Sequence, residues 1–199
     1  MAHITDCDLG LHDGWVVLPL DPDADVSGWA DATARELAER ASAEGSSFRL
    51  DLLRQELREQ AADSRERSPV LAAALYLNGF ESAAVVLEAD FVLPSEEVPV
   101  ITSDWFVRNF SDAALGTPDV SHGEVPAGPC TRIKQLLAGP RADQDGARPL
   151  LETIAYAVFP ENTRSAVLVL FSWTGAGVEE SVQRMATDIV ASLTVELSA

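Results

Sequence analysis

Apolar and polar residues recur along this chain with two periods, and the period changes where turn residues cluster. "GWVVLPLD", Gly14 to Asp21, is a short apolar run closed by proline and aspartate, which predicts a strand. From Val26 to Glu44, Trp29, Ala30, Thr33, Leu37 and Ala41 fall at helical spacings, with Arg35, Glu36, Glu39 and Arg40 on the other side. This predicts a helix with Asp25 or Ser27 as its cap and Gly45 at its end. A second helix restarts at Ser46 or Ser47 and presents Leu50, Leu53, Leu57 and Ala61 on its apolar stripe. It stops before Pro69, because the residue ahead of a proline is pushed out of helical geometry.

Two strands follow, Val70 to Leu77 and Ala83 to Leu93, joined through Asn78 and Gly79, a pair that tolerates positive φ and so favours an antiparallel hairpin. Val98 to Thr102 can extend, whereas Trp105, Phe106, Asn109, Phe110 and Ala113 predict a short helix from Ser103. The chain then turns over Pro126 to Pro129 and extends, with Cys130, Arg132 and Lys134 alternating against Thr131, Ile133 and Gln135. Gly139 to Pro149 is a loop by composition, "LLETIAYAVFP" and "SAVLVLFSWT" are strands, and Val178 to Leu193 is a final helix. That helix carries Val178, Val182, Met185, Ile189 and Leu193 on its apolar side.

The order lacks the strict strand–helix alternation of a doubly wound parallel sheet. It predicts one α+β domain over residues 1–199, with a mobile N-terminal segment over residues 1–13. The expected core is an antiparallel or mixed sheet of about six strands with helices on its faces.

Charge narrows the choice of partner. With 14 basic against 32 acidic side chains the net charge is −18, a field that repels phosphate backbones and anionic lipid surfaces. Nucleic acid and membranes are therefore excluded as expected partners, and a protein with a basic or amphipathic surface is favoured. "MAHITDCDLGLHDGW" lacks the positive start and apolar run of a signal peptide, and no apolar stretch approaches the roughly 20 residues of a membrane span. Cys7 and Cys130 are too few for a disulfide framework. Together these predict a cytoplasmic protein. A single lysine, Lys134, among many arginines and alanines matches the usage of a high-GC bacterial genome.

Candidate chemistry is sparse. Gly175 and Gly177 sit between a strand and a helix as in a dinucleotide fingerprint, but the third glycine position is Glu180. Glu179 and Glu180 in the first turn would compete with a bound phosphate for the positive end of the helix dipole. "DPDADVSGWADA" begins like a calcium loop, yet has Val26 where glycine is needed and Ala32 where the bidentate glutamate belongs. His3, Cys7 and His12 match no zinc spacing. Cys130 would need a base to act as a nucleophile; His122, the nearest histidine in sequence, lies about 26 Å away if the segment is extended at roughly 3.3 Å per residue. Ser172 lacks the glycines of a nucleophile elbow, and Glu96 and Glu97 read as surface charge. Trp15, Trp29, Trp105 and Trp173 lie within apolar runs, as core residues do. No cofactor and no metal is expected.

"GWVVLPLD", Trp29 with its alanine-rich helix, "AALYL", "EVPAGPCTRI" and "AVLVLFSWTGAGVEESVQRMATDIVASL" together resemble a group of uncharacterised small actinobacterial α+β proteins. More distantly, the layout is similar to the PsbP-like α/β sandwich, a group that includes photosystem assembly proteins, small-GTPase-binding factors and bacterial secretion chaperones. That resemblance implies a binding or chaperone role and carries no catalytic residues across.

The combined expectation is a non-enzymatic cytosolic protein-binding module, a chaperone, adaptor or secretion-associated accessory protein. Its binding surface is expected to draw on Trp105, Trp173, Arg132, Glu179 and Glu180, and apolar strand edges suggest a homodimer. One alternative is an immunity protein covering a basic toxin. Another is a small-molecule binder or enzyme with a site between sheet and helices, walled by Trp105, Trp173, Cys130 and Arg132. Because the glycine turn fails as a phosphate loop, millimolar ATP or NAD should leave the melting temperature unchanged in a thermal-shift measurement.

Overall fold

The computed structural model of the chain describes residues 2–43, 49–67, 71–78, 82–139, 148–174 and 177–198. In order these form β1 (His3–Asp8), β2 (Trp15–Val17), α1 (Val26–Ala43), α2 (Leu50–Glu66), β3 (Ala72–Asn78), β4 (Ser82–Val92), α3 (Ser103–Phe110), β5 (Asp119–Val125), β6 (Gly128–Ala138), β7 (Leu150–Val158), β8 (Ala166–Trp173), α4 (Glu179–Ala191) and β9 (Thr194–Ser198). The class is α+β, as expected. The larger sheet has seven strands in the order β2-β3-β4-β8-β7-β6-β5, and β1 pairs with β9 in a separate two-stranded sheet. Every pairing with a described register is antiparallel.

The expected count of about six strands is thus too low, and the strands it lacks are β1, β5 and β9. All three are polar: "HITDCD", "DVSHGEV" and "TVELS". Main-chain pairing requires no apolar side chain, so a polar edge strand leaves no hydrophobic period to detect. The terminal segment expected to be mobile contributes β1, in which Ile4 is buried. Val98 to Thr102 does not form a strand; Ser95 and Val98 close a turn there, and Ile101 N–H donates to the Arg164 carbonyl at 2.9 Å.

The chain divides into two compact units, His12–Glu88 and Met1–Leu11 with Ala89–Ala199. In the first, α1 buries Ala30, Ala34, Leu37 and Ala41, and α2 buries Leu53, Leu57 and Ala61. These residues, Ala41 apart, form one core with Leu18 and with Ala73, Leu75 and Leu77 of β3. The alanines let the helix approach closely, and Trp29 packs only partly buried at the margin. Asp25 is the helix cap: its Oδ1 accepts from Gly28 N–H at 2.9 Å and its carbonyl from Trp29 N–H at 3.0 Å. Arg65 fastens α2 to the loop after β2, donating to the carbonyls of Pro19, Asp21 and Ala24. Arg67 pairs with Glu88 and Asp63, while buried Ser64 donates to Glu88 at 3.1 Å. The expected stops and caps at Gly45, Ser46, Ser47, Pro69 and Gly79, the Gly175 turn and most of the Gly139 to Pro149 loop lie outside the described residues.

In the second unit, strands β8, β7, β6 and β5 carry a helix on each face. Residues opposite one another in adjacent strands share a face, so Thr131, Ala157 and Leu168 align, as do Ile133, Ala155 and Leu170. Phe106 of α3 packs on that face with Ile133, Ala155 and Ala157, and Trp105, Val107 and Phe110 border the cluster. Thr102 caps α3, its Oγ1 accepting from Trp105 N–H at 3.2 Å. The other face aligns Arg132 with Tyr156 and Val169, and Lys134 with Ile154 and Phe171. Here α4 lies, burying Val182, Ala186, Ile189 and Val190, with Tyr156 Oη 3.4 Å from Thr187 Oγ1. Two-sided burial explains why β7 and β8 read as nearly continuous apolar runs. At its outer edge β5 exposes Asp119, Ser121, His122, Gly123 and Glu124, so this edge is polar.

Phe106 is fully buried between α3 and the sheet. Phe106→Ala is expected to cost about 3–5 kcal/mol in urea unfolding. Leu93→Ala, at a side chain 61% exposed, should change stability by less than about 0.5 kcal/mol.

Candidate functional site

Strand alternation along β6 sends Cys130, Arg132, Lys134 and Leu136 to the α4 face. Two of these enter a ladder of alternating charge. Arg132 donates to Asp119 Oδ2 at 3.3 Å and to Gln183 Oε1 at 3.3 Å; Gln183 Nε2 donates to Glu179 Oε1 at 3.1 Å; Lys134 Nζ donates to the same oxygen. The ladder ties the first turns of α4 to β5 and β6. Each pair is partly exposed and so stabilises by only about 0–1 kcal/mol, but together they hold the helix start in place.

Beside this ladder lies a groove of about 410 Å³. Its apolar lining includes Leu115 and Leu136, which are 42% and 40% exposed. Asp119, Glu152 and Glu179 also line it, and the one cation among its described lining residues, Lys134, is bound to Glu179. Gln135 positions the loop that presents Leu115: its amide donates to the Phe110 carbonyl at 2.7 Å, and its Oε1 accepts from Asp112 N–H at 2.8 Å. Gly116, at φ +141, supplies the turn after Leu115. The arrangement suits binding: an apolar strip supplies affinity and the carboxylates orient a cationic partner.

Of the residues expected at a binding surface, Arg132 and Glu179 come together through Gln183, and Glu180 is exposed one position along α4. Trp173 does not join them. It is 2% exposed, and its indole N–H has no hydrogen-bond partner among the described residues, so it belongs to the core. Trp105 lies on the opposite, α3 face, 6.0 Å from the Phe110 ring. A single wall of Trp105, Trp173, Cys130 and Arg132 is therefore not formed. Asp119, Glu152 and Leu115 line the groove without being among the residues expected there. Glu152 left a signal, a lone carboxylate inside the apolar run "LLETIAYAV"; Leu115, in a loop, left none.

No known protein family matches the sequence, and no curated protein is significantly similar to it.

The other expectations resolve geometrically. The β5–β6 hairpin does fold the Cys130–His122 separation, but His122 lies opposite Thr131 and Cys130 opposite Gly123. Alternation therefore puts the two side chains on different faces. His122 Nδ1 sits 3.2 Å from both Ser103 Oγ and Thr131 Oγ1, on the α3 side. Asp21 Oδ1 accepts from Asp23 N–H at 2.8 Å, so the aspartate-rich loop turns its first and last carboxylates on its own backbone. Among the described residues no three His, Cys, Asp or Glu side chains converge to hold a metal. Among them, too, no helix is long and apolar enough to cross a membrane.

Burial raises the Cys130 thiol, partly offset by the Gly123 N–H. Burial first, then Asp6 and Asp8, push Cys7 from 9.0 up to about 11. At pH 8 native Cys7 should react with a disulfide reagent about tenfold more slowly than in the unfolded chain, allowing for the greater nucleophilicity of a more basic thiolate. Because folding disfavours its thiolate, stability linked to Cys7 is intact below pH 9 and falls as pH rises toward about 11. Cys7→Ala should flatten that slope in alkaline denaturation curves.

Proposed function

We propose that the chain is a non-enzymatic, cytosolic protein-binding module whose groove beside α4 takes a basic, amphipathic segment of a partner. The observation that carries this reading is the pair of exposed leucines, Leu115 and Leu136, sharing a groove with Asp119, Glu152 and Glu179 on a chain of net charge −18. Exposed apolar side chains that line one groove cost free energy in water, which a partner's apolar face recovers. The carboxylates speed encounter with a cation-bearing partner and disfavour acidic competitors. A chaperone or adaptor role fits this surface, and so does an immunity protein that covers a basic toxin.

The small-molecule alternative has one supporting observation, a separate cleft of about 290 Å³ bordered by Cys130, Arg132, Tyr156 and Thr187. Burial raises the thiol's pKa, and although His122 also borders the cleft, its imidazole engages Ser103 and Thr131 on the other face, so the cleft favours binding over nucleophilic chemistry.

A fluorescent amphipathic helical peptide, with leucines on one face and lysines on the other, should bind the protein and weaken as salt rises. Leu115→Ser combined with Leu136→Ser, and separately Glu152→Lys, should each reduce affinity about tenfold in fluorescence anisotropy while leaving the melting temperature within about 2 °C. Unchanged affinity in both variants would overturn the assignment of this groove.

A further inference from the structure

We propose a second binding site, independent of the groove beside α4, at which an extended basic segment of a partner adds as a strand to β9. A groove of about 620 Å³ runs between β9 and two turns, Pro126 to Pro129 of the β5–β6 hairpin and Pro160 to Asn162. Leu193, Thr194, Val195 and Leu197 border it and no residue of β1 does, so it follows the side of β9 that β1 leaves open. Main-chain direction agrees. Glu196 turns its carbonyl toward β1, where Thr5 Oγ1 donates to it at 3.2 Å. Alternation then directs the N–H and C=O groups of Val195 and Leu197 to the opposite edge, where a partner segment can pair with them as a third strand.

The facing wall is preformed. Phe159 N–H donates to the Pro129 carbonyl at 2.9 Å. Gly128, at φ +138, lies so close that a Cβ there would come within 2.5 Å of the Phe159 oxygen. Asn162 holds φ +63, and its carbonyl accepts from Ala2 N–H at 3.2 Å, which fastens the start of β1 to the same turn. A rigid groove beside an open strand spares an incoming segment the cost of ordering its receptor.

Charge selects the occupant. Glu124 and Glu161 border the groove, no Lys, Arg or His does among the described residues, and Asp6, Asp8 and Glu196 are exposed on the two-stranded sheet. Leu197, 42% exposed, and Val195 supply the apolar contacts. A second copy of the chain would set −18 against −18, so like-charge repulsion opposes self-pairing. An extended segment alternating lysine or arginine with β-branched residues matches both features. Five residues of β9 span about 17 Å, which calls for a partner segment of similar length.

The probe is a labelled heptapeptide alternating lysine and valine, titrated into the full chain by anisotropy. Binding is expected, with amide-exchange protection gained at Val195 and Leu197. N-methylation of alternate peptide nitrogens, or Glu124→Lys with Glu161→Lys, should weaken it about tenfold. Leu115→Ser with Leu136→Ser should leave it unchanged, which separates this site from the groove beside α4. No binding, equal binding by the N-methylated peptide, protection confined to that other groove, or sedimentation showing β9 occupied by a second copy would each overturn the proposal.

Discussion

The second unit depends on one constraint: β7 and β8 must be buried on both faces at once, and β6 beside them must present one buried face to α3. Phe106 closes one side over Ile133, Ala155 and Ala157. On the other, α4 covers Tyr156 and its neighbours with Val182, Ala186, Ile189 and Val190. Because adjacent residues point to opposite faces, a one-residue slip would exchange the two sets and send Arg132 and Lys134 under α3. The register that keeps Ile133 in the core is therefore the register that delivers Arg132 and Lys134 to the start of α4 and Leu136 to the groove. Packing and site follow from the same alternation.

Electrostatics then decides what the surface offers. Several cations are engaged within the chain: Arg54 and Arg58 with Asp31, Arg67 with Asp63 and Glu88, Arg132 with Asp119, Lys134 with Glu179. Partly exposed pairs contribute little stability individually. Their larger effect is to neutralise part of the basic complement locally, while acidic groups such as Glu124, Glu161 and Glu180 face solvent. The excess negative charge is thus available to a partner.

Periodicity located the elements that need apolar side chains. The helices α1, α3 and α4 and the strands β3, β4, β7 and β8 lie where the spacing predicts, because each must bury a face. It failed at β1, β5 and β9, whose pairing rests on main-chain hydrogen bonds. The same limit explains the partial legibility of the groove. Glu179 and Arg132 stand out as charges beside apolar runs, whereas Asp119 and Leu115 reach the groove only through the β5–β6 pairing and the Gln135 contacts.

The sequence by itself determined the α+β class, the acid excess, the positions of the apolar elements and the failure of each catalytic or metal pattern, since all of these are properties of local spacing and composition. Tertiary structure alone decided that His122 and Cys130 face apart, that Trp105 and Trp173 serve the packing of different faces, and that two leucines and three carboxylates share a groove. Those outcomes are set by strand register and by which edge is left unpaired. Register is a relation between segments distant along the chain, and no local pattern encodes it.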